Sequence, residues 1–410
     1  MIELREKQRL AILNRVAGTV AKRFYDPMLN GVEWERLVSE ARDCVARSKS
    51  TEEFERGINE LLKALGTSHV GFFHQSVPRG SSRQAIAATF CKTETKYGMR
   101  WVFQDVHSEG PAHLAGIQPG DVLLRVGDRE VVPPESPWFA MGSANSITIG
   151  KPDGSTATFT LSIPMPKSLK PPVVVPQTVS FRRLDQGIGL LKVAMFPGIV
   201  GIDVAKEMTE AVRALNCDRL IIDLRGNTGG GIGCLRLMGL LCSDKRPVGY
   251  SLSRRGAERA YRPEDLPKFD RIPSEKWELI PLLFRFAFRD RSVALITEGL
   301  GRQKFHGKIA MLVNEHSASA SEMVAAFAAE NVLATIVGAK TAGRLMAAGA
   351  FKVGFGYRVA LPIAAYKTWQ GNILEGVGVS PHIEAAFNSE AHSRNMDDDP
   401  QLATAINTFR

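Results

Sequence analysis

From about residue 178 onward, apolar segments typical of buried strands alternate with segments of helical periodicity. In chain order these are a strand at 187–193, a helix at 203–215, a strand at 220–224, a helix from Ile232, a strand at 309–313 and a helix from Ala320. Strands and helices that alternate in this way bury their apolar faces by layering helices against a sheet. The pattern therefore predicts an α/β layered core for the C-terminal part of the chain.

The N-terminal segment has the periodicity of helices. Phe54, Ile58 and Leu62 recur at four-residue steps, which places them on one helix face. Ser50 stands just before this run, in the position of a helix N-cap. These signals predict a helical domain at 1–80, a small bundle that packs on something larger.

The middle of the chain changes to short strands separated by turn residues, between about 83 and 164. We predict a small, mostly β domain at 81–166, followed by the core at 167–410. The segment Pro164–Pro176 has five prolines and is typical of a semi-rigid linker. The stretch 253–292 is poorly periodic, and we interpret it as a buried insertion or a mobile lid.

Composition excludes several classes of function. With 44% hydrophobic and 23% charged residues, the chain is typical of a globular protein. Its net charge of +9 comes from dispersed Lys and Arg residues, so we expect no nucleic-acid partner. Five cysteines without a C-x-x-C pair favour neither a zinc site nor a disulfide framework, and we expect no metal and no cofactor. Without a secretory h-region or a membrane span, a cytoplasmic location is expected, or a periplasmic or extracellular one if a leader has been removed.

Three serines stand at alternate positions, Ser317, Ser319 and Ser321, between a buried strand and an Ala-rich helix. A serine at such a turn can be exposed at the sheet edge, where the next N–H and the helix dipole favour a developing oxyanion. Serine is also a common helix N-cap. The pattern by itself leaves a catalytic role and a capping role open.

A glycine-rich loop follows the buried strand at 220–224. Glycines let backbone amides approach a bound group closely, whether that group is a phosphate or an oxyanion. The loop lacks the G-x-G-x-x-G spacing of a dinucleotide site. The segment Gly301 to Lys308 has five residues between its glycines and is therefore no Walker A loop.

Five landmark segments occur along the chain. They are Gly110-Pro-Ala-His-Leu-Ala-Gly-Ile-Gln-Pro-Gly-Asp121, Asp223-Leu-Arg-Gly-Asn-Thr-Gly-Gly230, the Ser-Ala-Ser-Ala-Ser-Glu run, Gly338-Ala-Lys-Thr-Ala-Gly343 and Leu374-Glu-Gly-Val-Gly-Val-Ser-Pro381. In this order they resemble the C-terminal processing and tricorn family of serine peptidases over nearly the whole chain. The resemblance implies a ClpP/crotonase-like α/β core with an N-terminal helical domain and a mostly β PDZ-like domain. It also implies a serine endopeptidase, or carboxyl-terminal processing protease, that acts on unfolded proteins or peptides.

By this resemblance Ser319 is the nucleophile. Its oxyanion hole would combine the N–H of Ala320 with that of Gly229 or Gly230. Many members of the family activate the serine with a lysine in a T-x-G-K turn, and here Arg344 occupies that position. An arginine cannot act as a general base, because its pKa lies above about 12.

The tricorn branch of the family uses a histidine base, and this chain resembles it at Thr67-Ser68-His69 and in the turn that contains Glu375. The resemblance implies that His69 accepts the proton of Ser319 while Ser68 orients the imidazole. Glu375 would anchor Ser68 and stabilise the imidazolium. His316 is close to Ser319 in sequence, but we expect it to point away.

The PDZ-like segment implies that an extended chain is captured as an added strand, with its carboxylate bound by loop amides near Tyr97, Gly98 and Met99. The expected partners are protein or peptide substrates, and the formation of a homo-oligomer is left open. The main alternative is a non-catalytic peptide- or lipid-binding protein on the same fold, which would have a broken serine constellation. A crotonase-like acyl-thioester enzyme would share the glycine-amide oxyanion hole.

Overall fold

A computed structural model describes residues 4–76, 79–151, 153–165, 175–259, 261–278, 292–389 and 399–410. The fold is mixed α/β, as the sequence predicts. The chain divides into two compact units, each assembled from three stretches. The first unit is Met1–Val77, Arg246–Thr297 and Gly343–Gly378, and the second is Pro78–Lys245, Glu298–Ala342 and Val379–Arg410. The division into domains at 1–80, 81–166 and 167–410 stays a prediction.

Helices and strands both occur along the described residues. The helices are α1 (Glu6–Arg23), α2 (Trp34–Ala46), α3 (Thr51–Lys63), α4 (Ser82–Ala85), α5 (Pro111–Leu114), α6 (Ile202–Leu215), α7 (Cys234–Leu241), α8 (Arg254–Glu258), α9 (Ala320–Glu330) and α10 (Pro400–Asn407). The strands are β1 (Gly71–His74), β2 (Arg79–Ser81), β3 (Ala88–Thr95), β4 (Gly98–Val106), β5 (Val122–Val126), β6 (Arg129–Glu130), β7 (Trp138–Ala140), β8 (Ala144–Gly150), β9 (Thr156–Ser162), β10 (Val179–Arg183), β11 (Ile188–Val193), β12 (Arg219–Asp223), β13 (Pro247–Ser253), β14 (Lys268–Phe269), β15 (Val293–Ile296), β16 (Lys308–Val313), β17 (Thr335–Gly338), β18 (Met346–Gly354), β19 (Tyr357–Thr368) and β20 (Ile383–Glu384).

The first unit joins the N-terminal helices to a sheet of order β1-β19-β13-β15-β14, in which β18 also pairs with β19. The predicted helices are confirmed as α1, α2 and α3. Their apolar faces form one core with the sheet, in which Leu13, Ile58 and Val359 are fully buried. The hydroxyl of Ser50 accepts the N–H of Glu53 at 3.1 Å and caps α3 as predicted.

The second unit contains a largely parallel sheet of order β10-β11-β12-β16-β17-β20, with β10 antiparallel to β11. Its central strands are apolar and fully buried at Ile221, Ala310 and Leu312, as is typical of a parallel sheet that is covered on both faces. The predicted alternation is confirmed, although the helix expected from Ile232 begins at Cys234. Because parallel neighbours end at the same sheet edge, the loops after β12 and β16 lie side by side.

The second unit also contains an antiparallel sheet of order β3-β4-β5-β8-β9, with β6 paired to β5. Phe103, Leu123 and Ile147 are fully buried in its core. The prediction of a mostly β segment is therefore confirmed. Strand β3 lies at an edge of this sheet and has β4 as its neighbour among the described strands.

Two sequence predictions fall largely on parts of the chain that are not described. Residues 166–174 of the proline-rich linker, and residues 260 and 279–291 of the stretch 253–292, lie outside the described residues. In the described part of the chain, no helix has both the length and the apolar character that a bilayer crossing requires. The same residues contain no cluster of three His, Cys, Asp or Glu side chains arranged to hold a metal ion.

Candidate active site

The loop after β12 and the turn after β16 meet at the carboxyl edge of the parallel sheet. The N–H of Leu224 donates to the carbonyl of Leu312 at 2.9 Å, which extends the pairing of the two strands. Beyond it, the N–H of Ala318 donates to the carbonyl of Asn227 at 3.0 Å. The glycine-rich loop and the serine turn are therefore held together by their own backbones.

Ser319 occupies the N-cap position of α9 with φ 55° and ψ −116°. This conformation is rare for a residue with a side chain and costs about 1–3 kcal/mol. Ser319 is half-buried and stands at the positive end of the helix dipole. A strained serine with access to solvent at a helix N-terminus has the local geometry that a nucleophile requires.

The two neighbouring serines are fully buried and have other partners. The Ser317 hydroxyl donates to the carbonyl of Leu224 at 2.8 Å and accepts the N–H of Asn314 at 3.0 Å. The Ser321 hydroxyl donates to the carbonyl of Asn227 at 2.9 Å. Both hydroxyls therefore stabilise the turn, and of the three serines Ser319 alone reaches solvent.

The glycine-rich loop passes directly against Ser319. An added Cβ at Gly229 would lie 2.6 Å from the Cβ of Ser319 and 2.8 Å from the N of Ala320, so only glycine fits there. The N–H of Gly229 donates to Asn227 Oδ1 at 2.8 Å. The N–H groups of Gly230 and Ala320, by contrast, have no hydrogen-bond acceptor in the described part of the chain.

Asn227 organises this loop, although the sequence pattern assigned it no role. Its fully buried side chain donates from Nδ2 to the carbonyl of Val193 at 2.8 Å and accepts the N–H of Gly229 with Oδ1. Its carbonyl accepts the N–H of Ala318 and the hydroxyl of Ser321. The sequence did offer one signal for this role, an amide side chain between a buried strand and a glycine-rich loop. A buried polar side chain needs hydrogen-bond partners, and the loop backbone can supply them.

Asn314 and Arg83 join the start of the same loop to the antiparallel sheet. Asn314 accepts the N–H of Gly226 with Oδ1 at 3.0 Å and donates from Nδ2 to Asp105 Oδ2, on β4, at 2.9 Å. Arg83 donates to the carbonyls of Gly226 at 3.1 Å and Ala194 at 2.7 Å. Neither residue carried a recognisable sequence signal, since each acts through partners far away in the chain.

In the first unit, Ser68, His69 and Glu375 form a hydrogen-bonded relay. The Ser68 hydroxyl lies 2.6 Å from His69 Nδ1 and donates to Glu375 Oε2 at 2.9 Å. Because the Ser68 proton goes to the carboxylate, Nδ1 carries the proton that it donates to Ser68 Oγ. The other ring nitrogen, Nε2, is then left with a lone pair and can act as a base.

The Glu375 carboxylate is held by three further donors. Its Oε1 accepts the N–H of Ser68 at 2.6 Å and the hydroxyl of Thr67 at 3.0 Å, while Oε2 accepts the N–H of Leu345 at 2.8 Å. A carboxylate with four hydrogen-bond donors is fixed in orientation. Thr67 belongs to the motif quoted from the sequence, but its contact with Glu375 was not predicted.

The surroundings of His69 lower the pKa of its imidazole. Desolvation by the surrounding protein is the largest cause, and the nearby Arg344 cation acts in the same direction. Glu375 opposes both by favouring the imidazolium. His69 therefore stays neutral, and able to accept a proton, at a lower pH than a free histidine.

His316 has partners on β3 and β4, which agrees with the expectation that it points away from Ser319. Its Nε2 lies 2.9 Å from the carbonyl oxygen of Phe90 and 3.1 Å from Gln104 Oε1. Both partners are acceptors, so this nitrogen carries a proton and cannot take one from a serine.

Tyr97, Gly98 and Met99 lie at the hairpin between β3 and β4, where Thr95 pairs with Gly98. Gly98 has φ +81°, which suits a tight turn. The ring of Tyr97 covers Gly150, where an added Cβ would lie 2.5 Å from the ring. The role of these residues in binding a carboxylate stays a prediction.

The predicted site residues thus fall into two groups. Ser68, His69 and Glu375 come together in the first unit. In the second unit, Gly229 lies against Ser319 and Ala320, and Gly230 is the next residue of the loop.

Comparison with known proteins finds a family similar to the part of the chain that contains this serine turn. Residues 187–385 match the family model described as peptidase family S41. This part of the chain is therefore similar to peptidase family S41. The matched residues include both the serine turn and Glu375, whereas Ser68 and His69 precede them.

Curated relatives and a solved structure are also similar to the chain. A carboxyl-terminal-processing protease of Picosynechococcus sp. is 22% identical over 279 residues, which are 66% of this chain and 57% of the relative. A tricorn protease homolog of Streptomyces coelicolor is 22% identical over 380 residues, 88% of this chain and 29% of the relative. The chain therefore spans little more than half of the first relative. The solved photosystem II D1 C-terminal processing protease has a TM-score of 0.56 at 19% identity, over 97% of this chain and 96% of that one, and shares the fold.

Proposed function

We propose that the protein is a serine peptidase that hydrolyses peptide bonds of unfolded proteins or peptides, with Ser319 as its nucleophile. The observation that carries this proposal is the serine turn in the part of the chain that is similar to family S41. There a half-buried, strained serine stands at a helix N-terminus and Gly229 lies against it. The N–H groups of Ala320 and of Gly230, the residue after Gly229, have no acceptor among the described residues. A serine nucleophile and nearby backbone N–H donors are the groups that acyl transfer requires.

In the proposed reaction, His69 Nε2 takes the Ser319 hydroxyl proton while Oγ attacks the carbonyl carbon of the scissile bond. The N–H groups of Gly230 and Ala320 stabilise the oxyanion. Gly230 suits this role better than Gly229, because the N–H of Gly229 already donates to Asn227. The protonated His69 then donates its proton to the leaving amine, and water releases the acyl group from Ser319 by the reverse proton transfers.

In this scheme Ser68 and Glu375 act through His69. The hydrogen bond of Ser68 to Nδ1 sets the tautomer that leaves Nε2 basic. The Glu375 carboxylate, which binds Ser68, stabilises the imidazolium when it forms. Arg344 stands where a catalytic lysine would be, and arginine is not a residue type that acts as a general base.

We propose that chain ends are captured by a PDZ-like domain built on the antiparallel sheet, and that the other layers form a ClpP/crotonase-like core. Strand β3 is an edge strand, so an extended peptide can add to it through main-chain hydrogen bonds. The turn at Tyr97, Gly98 and Met99 remains the proposed carboxylate-binding loop. The relative from Picosynechococcus sp. is named a carboxyl-terminal-processing protease, which supports C-terminal protein segments as substrates.

We also propose that the protein forms a homo-oligomer and that it is located in the cytoplasm. Light scattering of the purified protein at several concentrations would measure its oligomeric state. Fractionation of the source cells would show its location.

The test of the proposed function is covalent labelling with a fluorophosphonate, a probe that reacts with activated serines. We expect one modified serine, mapped by peptide mass spectrometry to Ser319. The matched control is heat-unfolded protein, which keeps every hydroxyl but no activated serine. Absence of labelling in the folded protein, or labelling at another serine, would contradict the proposal.

The pH dependence offers a further prediction. Because the neutral form of His69 is the base, kcat/KM should rise with pH through a midpoint below the ordinary histidine value of about 6.5. Arg344→Gln removes a charge that lowers this pKa and should move the midpoint up. Glu375→Gln removes a charge that raises the pKa and should move the midpoint down.

The control for these shifts is Arg56→Gln, which removes a charge from an exposed position of α3 that does not perturb His69. Its midpoint should equal that of the unmodified protein. Shifts of Arg344→Gln and Glu375→Gln in the same direction would contradict the assignment of His69 as the titrating base.

A further inference from the structure

Glu322 is a fully buried acid in the first turn of α9. Its Oε2 accepts the N–H of Ser319 at 2.9 Å, and its Oε1 accepts the hydroxyl of Thr341 at 2.7 Å. The carboxylate therefore holds the backbone of Ser319 in its strained conformation. A buried carboxylate depends on such donors, because losing one leaves part of its charge unsatisfied.

Thr341 connects this carboxylate to a second point in the chain. Its hydroxyl, while donating to Glu322, accepts the N–H of Val379 at 2.7 Å, and its own N–H donates to the carbonyl of Val379 at 3.0 Å. The next residue, Ala342, donates its N–H to the carbonyl of Ser317 at 3.0 Å. Each atom of the Thr341 hydroxyl thus has a partner, and its removal breaks two hydrogen bonds.

The hydrogen bonds of Thr341 and Ala342 lie where the chain leaves the second unit and returns to it. Ala342 and Val379 are the residues of the second unit that flank Gly343–Gly378, the segment of the first unit that carries Arg344 and Glu375. Within the second unit, Ala342 is therefore bonded to the serine turn directly, and Val379 is bonded to it through Thr341 and Glu322.

We infer that Glu322 and Thr341 are positioning residues for the Ser319 nucleophile, an inference that rests on the proposed function. Glu322 holds Ser319 in the strained conformation that directs its hydroxyl and keeps the N–H of Ala320 available to an oxyanion. Thr341 fixes Glu322 and joins it to the backbone of Val379. Small displacements of a nucleophile lower the rate steeply, so loss of this support should be visible in reactivity.

The experiment compares Thr341→Val, which keeps the shape and loses the hydroxyl, with Thr341→Ser, which keeps the hydroxyl. The rate of fluorophosphonate labelling at Ser319 should fall about 10-fold to 100-fold in Thr341→Val, the range for a lost hydrogen bond to a charged group. In Thr341→Ser it should stay within about threefold of the parent rate, because the same bonds can form. In peptide hydrolysis by Thr341→Val, kcat should fall while KM stays almost unchanged.

Two controls separate positioning from folding. Thr335→Val removes a threonine hydroxyl at the start of β17, the strand that precedes Thr341 in the chain, and should leave the labelling rate unchanged. Glu322→Gln keeps the shape of the side chain, but its amide can accept only one of the two donors. It should therefore also label slowly, and it decides the question if Thr341→Val does not fold.

Parent-like labelling in folded Thr341→Val, or in folded Glu322→Gln, would overturn the inference while leaving Ser319 as nucleophile. An equal loss in Thr341→Ser and Thr341→Val would also overturn it, because the hydroxyl would then not be the decisive group. If the parent protein is not labelled at Ser319 at all, the proposed function itself fails, and this inference fails with it.

Discussion

Replacing Ser319 with alanine is expected to abolish hydrolysis of a casein-like or peptide substrate while the protein stays folded. The rate should fall by roughly 10³-fold or more, since a nucleophile has no substitute among its neighbours. Folding should survive because Ser319 is half-buried and its backbone N–H remains to bind Glu322. Turnover and thermal unfolding, measured on the same sample, check both statements.

The neighbouring serines provide matched controls within the same turn. Ser317→Ala and Ser321→Ala remove buried hydroxyls that hold Leu224 and Asn227, so each should lower the free energy of unfolding by about 1–3 kcal/mol. Both variants should keep most of their turnover at temperatures where they are folded. If Ser321→Ala were inactive while Ser319→Ala kept its activity, the nucleophile would be misassigned.

Replacing His69 with alanine is expected to be almost as damaging, with a rate loss of roughly 10³-fold or more. Residues that act as one relay are not additive, so the double variant with Ser319→Ala should be no worse than either single one. The rise of rate with pH should also disappear, because the group that titrates has been removed. Residual rates of the three variants, measured from about pH 5 to 8, test this directly.

Variants of the partners sharpen the test of His69. Glu375→Gln should lower the rate of hydrolysis less than His69→Ala does, by roughly 10-fold to 100-fold, since it loses one charge but keeps the shape of the side chain. Arg344→Lys should not restore activity to a His69→Ala protein, because an exposed lysine stays protonated near neutral pH. Full activity of a His69→Ala protein would contradict the role of His69 and favour a serine–lysine mechanism instead.

The prediction of the serine turn depended on local signals and was largely accessible from sequence. Short-range periodicity predicts the buried strand, the turn and the Ala-rich helix. Helix α9 begins at the expected Ala320. The pattern left a catalytic and a capping role open for Ser319. In the structure Ser319 occupies the N-cap position and is also the one serine of the three that reaches solvent. The position is therefore compatible with both roles.

The relay was accessible only through resemblance to a family. Ser68 and Glu375 are 307 residues apart in sequence, and their hydrogen bond has no local signature. Glu322, Thr341 and Asn227 were missed for the same reason. Their roles lie in buried bonds to distant backbone groups, which periodicity and composition do not encode.

The sequence by itself determined the α/β class, the N-terminal helices, the mostly β segment and the turn that carries Ser319. These features follow from the spacing of apolar residues, from caps and from glycines, which act over a few residues. Only the tertiary structure decided that Ser317 and Ser321 are buried. It also decided that the N–H of Gly229 donates to Asn227 and that the carboxylate of Glu322 binds the N–H of Ser319. Burial and hydrogen-bond partners depend on which strands become neighbours in the sheet, and that choice is made by the packing of the whole chain.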